Sequence, residues 1–507
     1  MSSRLRLAEV LGSLSLATDL ATANPVETGI DATIIATRLA ERAGVPPEGL
    51  PATYYACLTR MLGCTSTGME TAAMLMGDDR LMNHTLLTCD WAEPADIARR
   101  LGEVMPQGGA RDDAIQRVVD DHESIAQGAN LHCSQAMMLT TRLPLPADVP
   151  ALLGFMWARW DGKFPGAAGA DIPVAARIIP LARAIALARR AGGTAATEAV
   201  VRERKGTEFD PELCDLFASS ADDVLDGLDG ASGWDVFLDT EPGSRLEVGP
   251  DELLTVAGAF ADFADQKSGW FAGHSRRVSA LAGTAAAAMG LDAEQQHAMK
   301  LAGLLHDVGR VAVRNGVWDK AGALTLRERQ LAESHSYHTE AVLKMSPTLT
   351  SLAGISATAH ERADGTGYHS RRRAIDPSSA LLGIADVYDA MSHERSWRPA
   401  FAPEDVVAEI RSMCASGSLH AECAAAILSA AHGGQDVEVA YPAGLTAREV
   451  DVIRLLITGL PTKTIASRLS ISPKTADKHI QSVYEKTGLR GRAPVALFAL
   501  EHGIFGS

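Results

Sequence analysis

Laid on itself with an offset of 203 positions and no gap, the chain repeats. Residues 132–186 meet 335–389, with His132 on His335, Pro144 on Pro347, Arg159 on Arg362 and Asp161-Gly162 on Asp364-Gly365. An offset of 246 sets 28–63 on 274–309, with Ala56 on Ala302, Leu58 on Leu304, and Gly44 and Gly63 on Gly290 and Gly309. Self-similarity on this scale constrains the fold more than any local pattern, because both halves must build one scaffold. The local pattern is helical: "TIIATRLAERAG" at 33–44 and "VSALAGTAAAAMG" at 278–290 are amphipathic and end at Gly. Two stretches rich in Asp, Gly, Ser and Pro, 219–250 and 432–444, read as linkers. The expected fold is all-α, with domains at 1–218, 251–431 and 445–507.

The formal charge of −16 argues against a chain that coats nucleic acid along its length. Residues 445–507 differ, with nine Lys and Arg against five Asp and Glu, so a small basic tail sits on an acidic body. Seven cysteines, odd in number and without a C-x-x-C pair, point to a reduced, cytoplasmic protein without a zinc knuckle. Glu9 and Asp19 interrupt the N-terminal apolar stretch, so no signal peptide is expected. No uncharged apolar run approaches the length of a membrane span.

The second repeat concentrates imidazoles and carboxylates on separate helical segments. They are His274 in "GHSRRV", His306-Asp307 in "LLHDVGR", His335 and His338 in "ESHSYH", His360 in "HERADGTGYH", and Asp386 in "ADVYD". Imidazole with carboxylate suits iron, manganese or zinc. Adjacent His306 and Asp307 point different ways on a helix, so Asp307 could bridge two ions, and two ions ~3.5–4 Å apart can clamp a phosphoryl group.

These motifs, with "HDVG" at 306–309, "HE" at 360–361, "DGTGY" at 364–368 and "ADVYDA" at 385–390, make the segment 268–431 resemble an HD-GYP domain of the HD phosphohydrolases. The resemblance implies a helical fold, a centre of two or three transition-metal ions, here two because Ala359 removes a ligand, held by His274, His306, Asp307, His335, His360 and Asp386, and hydrolysis of cyclic di-GMP. His306, Asp307 and Arg310 would be its catalytic residues. Four positions depart from the family pattern: Arg310 replaces Lys, Ala359 replaces a second His, His369 replaces Pro, and Trp270 takes an acidic position before the first His. In the first repeat the same alignment puts Arg60-Met61 at His306-Asp307, Trp157-Ala158 at His360-Glu361 and Arg183 at Asp386; only His132 persists. An Arg in place of a ligating carboxylate repels a cation, so 1–218 reads as a degenerate HD-GYP-like domain, with His132 a structural histidine.

In the tail, Thr446 with Glu449 forms a capping box, and Ser472-Pro473 opens a second helix. That helix sets Lys474, Lys478 and Gln481 on a polar side and Ala476, Ile480, Val483 and Tyr484 on a packing face. A helix, a short turn and a polar-faced second helix fit a helix-turn-helix reader of the major groove. Residues 445–503 resemble the LuxR-type four-helix module, through "LTAREVDVI", "IASRLSISPKTADKHI" and "VYEKTG". The resemblance places Lys478 and Gln481 at bases and Lys463, Lys474 and Thr475 near phosphates.

The expected protein is a homodimeric transcription regulator that binds duplex DNA and whose HD-GYP body senses, or also hydrolyses, a nucleotide such as cyclic di-GMP. Two alternatives stay open: a metal-dependent cyclic di-GMP phosphodiesterase with an accessory tail, and a non-catalytic scaffold that its metal only stabilises.

Overall fold

A computed structural model describes residues 4–501, apart from 106, 164–165, 229–232, 363, 372–374, 416–417, 433–442 and 444. Among the described residues the fold is helical, with one two-stranded sheet in which Leu5–Arg6 pairs antiparallel with Glu247–Val248. No described helix is long and apolar enough to cross a membrane. The chain forms two compact units that meet in sequence at Leu253 and Leu254.

The first unit is built on helices Leu7–Ala21, Thr28–Arg42, Leu50–Thr59, His122–Thr141 and Val174–Arg204. Its core is fully buried at Leu11, Ile30, Ile34, Tyr54 and Ile185. The stretch expected as a linker, 219–250, is instead part of this unit. Helix Trp234–Asp239 buries Phe237 completely, stacked on Tyr54 at 5.3 Å between ring centres. Burial of such a side chain is worth about 1.5–3 kcal/mol, enough to anchor a short Gly-rich segment that composition alone marks as loop. The second expected linker, 432–444, lies outside the described residues except for His432 and Ala443.

The second unit repeats the scaffold in detail. Helix Thr28–Arg42 follows a left-handed residue, Glu27, and helix His274–Ala288 follows a left-handed Gly273, both at φ 71°. The buried carboxylate of Asp19 accepts the Gly29 amide at 3.1 Å, and that of Asp265 accepts the Ser275 amide at 2.8 Å. A Cβ on Gly63 would lie 2.1 Å from the His132 carbonyl oxygen, and one on Gly309 would lie 2.2 Å from that of His335. No side chain fits such an approach, so glycine is required at both.

Beyond the metal-type helices, the second unit holds four short helices: Ala447–Ile457, Thr462–Arg468, Pro473–Thr487 and Arg492–Glu501. Thr446 and Glu449 form the expected capping box, Ser472 accepts the Thr475 amide, and left-handed Gly488 closes the third helix. Val450, Ile453, Ile465, Ile480, Val483 and Val495 make their core, and Ala272 packs against it. Gly269 approaches the same module closely: a Cβ there would lie 2.5 Å from the Thr458 carbonyl carbon. An ion pair between Arg468 and Glu394 adds a polar contact.

Candidate metal centre and helix-turn-helix

Every expected ligand of the second repeat arrives at one buried point. Helix Ala293–Leu305 ends one residue before His306, and Asp307 opens a 3₁₀ turn, Val308–Ala312. His306 and Asp307 therefore converge at a helix end, rather than diverging along a continuous helix as their adjacency suggested. His274 starts its helix, His335 starts helix His335–Lys344, and Asp386 lies within helix Pro377–Ser392.

The carboxylate of Asp307 is shared. Its Oδ2 lies 3.3 Å from His274 Nε2 and 3.1 Å from His306 Nε2, and its Oδ1 lies 3.0 Å from His335 Nε2 and 3.4 Å from His360 Nε2. Asp386 adds Oδ1 at 3.2 Å from His274 Nε2 and Oδ2 at 3.2 Å from His360 Nδ1. Two groups able to hold a metal ion result, His274/His306/Asp307/Asp386 and Asp307/His335/His360, with Asp307 in both. His338 belongs to neither; its ring meets Tyr337.

The far side of each ring fixes which nitrogen is the donor. His306 Nδ1 faces the Gly303 carbonyl at 2.8 Å and His335 Nδ1 faces the Ala332 carbonyl at 2.6 Å. A carbonyl only accepts, so both Nδ1 atoms carry the proton, and each Nε2 presents a lone pair when the ring is neutral. His274 Nδ1 meets Asp389 Oδ2 at 2.7 Å, a carboxylate–histidine pair of the kind that orients metal-binding imidazoles. Arg277 in turn donates to Asp389 at 2.6 Å.

The buried Nε2 atoms of His274 and His306 and Oδ1 of Asp307 make no hydrogen bond. Orphaned polar atoms are costly in an interior unless something else satisfies them, so this donor set fits a cation. Electrostatics agree. Burial lowers His306, but Asp307 and Asp386 outweigh it and lift it to about 10; His274 is lifted to about 9 by Asp307, Asp386 and Asp389 against the same penalty. Burial would raise Asp307, but Arg310 and His306 hold it well below the usual carboxylate range. Protons thus fill the role of positive charge that an ion would take over.

Several partners of the site were not apparent from sequence. Asp389 lies three residues after Asp386 on one helix face, a spacing that could have revealed it. Asp265 supplies a buried carboxylate ahead of His274, although Trp270 takes the acidic position of the family pattern. Tyr368 stacks on His360 at 5.0 Å. Arg310, expected among the catalytic residues, pairs with Asp307 and lies over the Phe271 ring at 3.8 Å.

The first unit presents the counterpart. Arg183 ion-pairs with Glu208 at 3.0 Å and lies over the Trp157 ring at 5.6 Å. His132 Nε2 donates to the Arg60 carbonyl at 2.9 Å, and burial pushes its pKa down to about 4. Among the described residues this unit has no metal-type group.

In the tail, Lys463, Lys474, Lys478 and Gln481 are exposed and Thr475 is half-buried, while Ala476, Ile480 and Val483 are buried beneath them.

Residues 258–420 match the HD domain family, and residues 443–499 match the bacterial regulatory proteins of the luxR family. The chain carries an HD domain followed by a luxR-family helix-turn-helix domain. It is 25% identical to the 3'3'-cGAMP-specific phosphodiesterase 3 of Vibrio cholerae over 442 residues, which cover 84% of this chain and 94% of the relative. It is 30% identical to a cyclic di-GMP phosphodiesterase of Thermotoga maritima over 173 residues, 33% of this chain and 46% of that one. A crystal structure of a cyclic GMP-AMP-specific phosphodiesterase from V. cholerae shares the fold, with a TM-score of 0.59 over 86% of this chain and 99% of that one, at 21% identity. The HD domain of this chain contains both metal-type groups, and the luxR-family match contains all five expected DNA-facing residues.

Proposed function

We propose that the chain is a transcription regulator whose HD domain binds a cyclic dinucleotide at a centre of two transition-metal ions and hydrolyses it, and whose LuxR-family domain binds duplex DNA as a homodimer. The observation that carries the metal reading is the Asp307 carboxylate, with one oxygen turned to each histidine group. His274, His306 and Asp386 would complete one ion's ligands, and His335 and His360 the other's. Iron, manganese or zinc bound there would supply Lewis acidity at a phosphodiester. Asp389, Gly303 and Ala332 hold the imidazoles in register, and Arg310 orients Asp307. The names of the relatives support a cyclic dinucleotide as the substrate class. The first unit is read as a degenerate HD-GYP-like half that kept the scaffold.

Control of the tail by the HD domain is supported by residues 269–274. Gly269 and Ala272 pack on the LuxR-family domain, Phe271 carries Arg310, and His274 opens the metal-type cluster. A ligand that moves Arg310 or His274 therefore acts one turn away from the tail. Ligand and DNA must then alter each other's affinity by the same factor, typically about 5–150-fold for allosteric coupling. The test measures operator affinity with and without 3'3'-cGAMP or cyclic di-GMP, for the wild type and His306→Ala. A shift in the wild type that the variant loses supports the regulator. Equal affinities in all four cases, with rapid turnover, would favour a phosphodiesterase with an accessory tail.

A further inference from the structure

The first unit is longer than its counterpart at one place. His132 follows Gly63 by 69 positions, whereas His335 follows Gly309 by 26. The extra chain forms helices Gly68–Met74, Asp79–Thr88, Pro94–Val104 and Gly109–Asp120. Together with the start of helix His122–Thr141 it lines a partly open cavity of about 250 Å³. Two of the lining residues come from the shared scaffold: His132 and Trp157, which align with His335 and His360 of the metal-type cluster. The added segment thus closes over the place where the other half gathers its ligands.

The lining states what could enter. Met74, Met82, Leu86, Leu131, Trp91 and Trp157 give an apolar and aromatic wall, with Trp91 and Trp157 edge-to-face at 5.9 Å and His132 edge-on to Trp157 at 5.7 Å. Such walls favour ring systems. Among the described lining residues there is no Lys or Arg; the one ionisable side chain besides His132 is Glu70, which is exposed. A phosphate group would find no cation there and one repelling carboxylate, so the lining disfavours anions. In size the cavity exceeds the roughly 150 Å³ that holds benzene in an engineered apolar core, leaving room for a second ring.

We propose that the first unit is a receptor for an uncharged or cationic aromatic molecule of one or two rings, bound in this cavity between Trp91, Trp157 and His132. The site stands on its own lining and is independent of metal binding in the second unit.

Gly128 lines the cavity within helix His122–Thr141, and a Cβ there meets only Thr67 Cγ2, at an ordinary 3.8 Å. Gly128→Leu and Gly128→Met therefore fill the cavity from a helical position that tolerates a side chain. The experiment titrates the full-length protein with indole, tryptamine and indole-3-acetate, one ring system in three charge states, by saturation-transfer NMR, with thermal melts to confirm folding. The expected result is that indole and tryptamine bind the wild type, that indole-3-acetate binds at least ~10-fold more weakly, and that folded filling variants lose at least ~10-fold for both binders. Glu70→Gln should bring the anion closer to indole. No binding of indole or tryptamine, preferred binding of the anion, or affinity unchanged in a folded filling variant would overturn the proposal. The order of the three probes on the wild type decides the matter even where a variant fails to fold.

Discussion

In the second unit Asp386 reaches His360 at 3.2 Å; at the aligned positions of the first, Arg183 lies over Trp157 at 5.6 Å. The two halves share backbone features elsewhere, a left-handed residue before the aligned helices and a glycine pressed on a histidine carbonyl. The scaffold therefore does not dictate a metal. One half gathers buried anions and imidazoles that need a cation. The other replaces the anion by a guanidinium, neutralises it with Glu208 and covers it with an indole ring. A change of a few side chains reverses the sign of the charge that the same helices hold.

The contrast can be broken most severely at Asp307. Asp307→Ala removes the one carboxylate that both groups share. Phosphodiester hydrolysis by the variant is expected to fall to the uncatalysed background, measured on 3'3'-cGAMP and cyclic di-GMP; retained turnover would mean that Asp307 does not unite two sites. On the other side, Arg183→Met leaves Glu208 buried with Arg204 alone, at 3.1 Å. Removal of one partner of a buried pair costs about 3–5 kcal/mol, and the remaining Arg204 should reduce this to about 2–3 kcal/mol. Urea denaturation of the full chain reads that cost, and a stability equal to wild type would show that the guanidinium does not hold the first unit together.

A finer comparison concerns His274 and His132, whose orientation is set by a carboxylate in one case and a carbonyl in the other. Asp389→Asn keeps the shape of the outer contact and removes its charge. Metal affinity should drop about 10–100-fold, as for other outer partners of metal-binding histidines, when titrated with a competing chelator. An unchanged affinity would reduce Asp389 to a packing role.

Much of this was legible in the sequence. The ungapped offset between repeats is reproduced in the paired glycines and helix starts, and the six expected ligands do meet. Their convergence was readable because His and Asp stand in fixed motifs on separate helical segments. What was not readable depended on distant partners. Asp389 acts on a histidine 115 positions away. Phe237 makes a loop-like stretch part of the core by stacking on Tyr54. Arg310 turns to Asp307 and Phe271 because they lie within reach, which no spacing rule conveys. The cavity of the first unit arises from chain that has no aligned counterpart in the other half, so the repeat could not foretell it.

The most direct test is the number of transition-metal ions per full-length chain, by elemental analysis after gel filtration, for the wild type, Asp307→Ala and His132→Ala. The expected result is two ions in the wild type, two in His132→Ala and fewer than one in Asp307→Ala. A metal-free wild type, or a count that falls with His132 and not with Asp307, would contradict the assignment of the metal centre to the second unit.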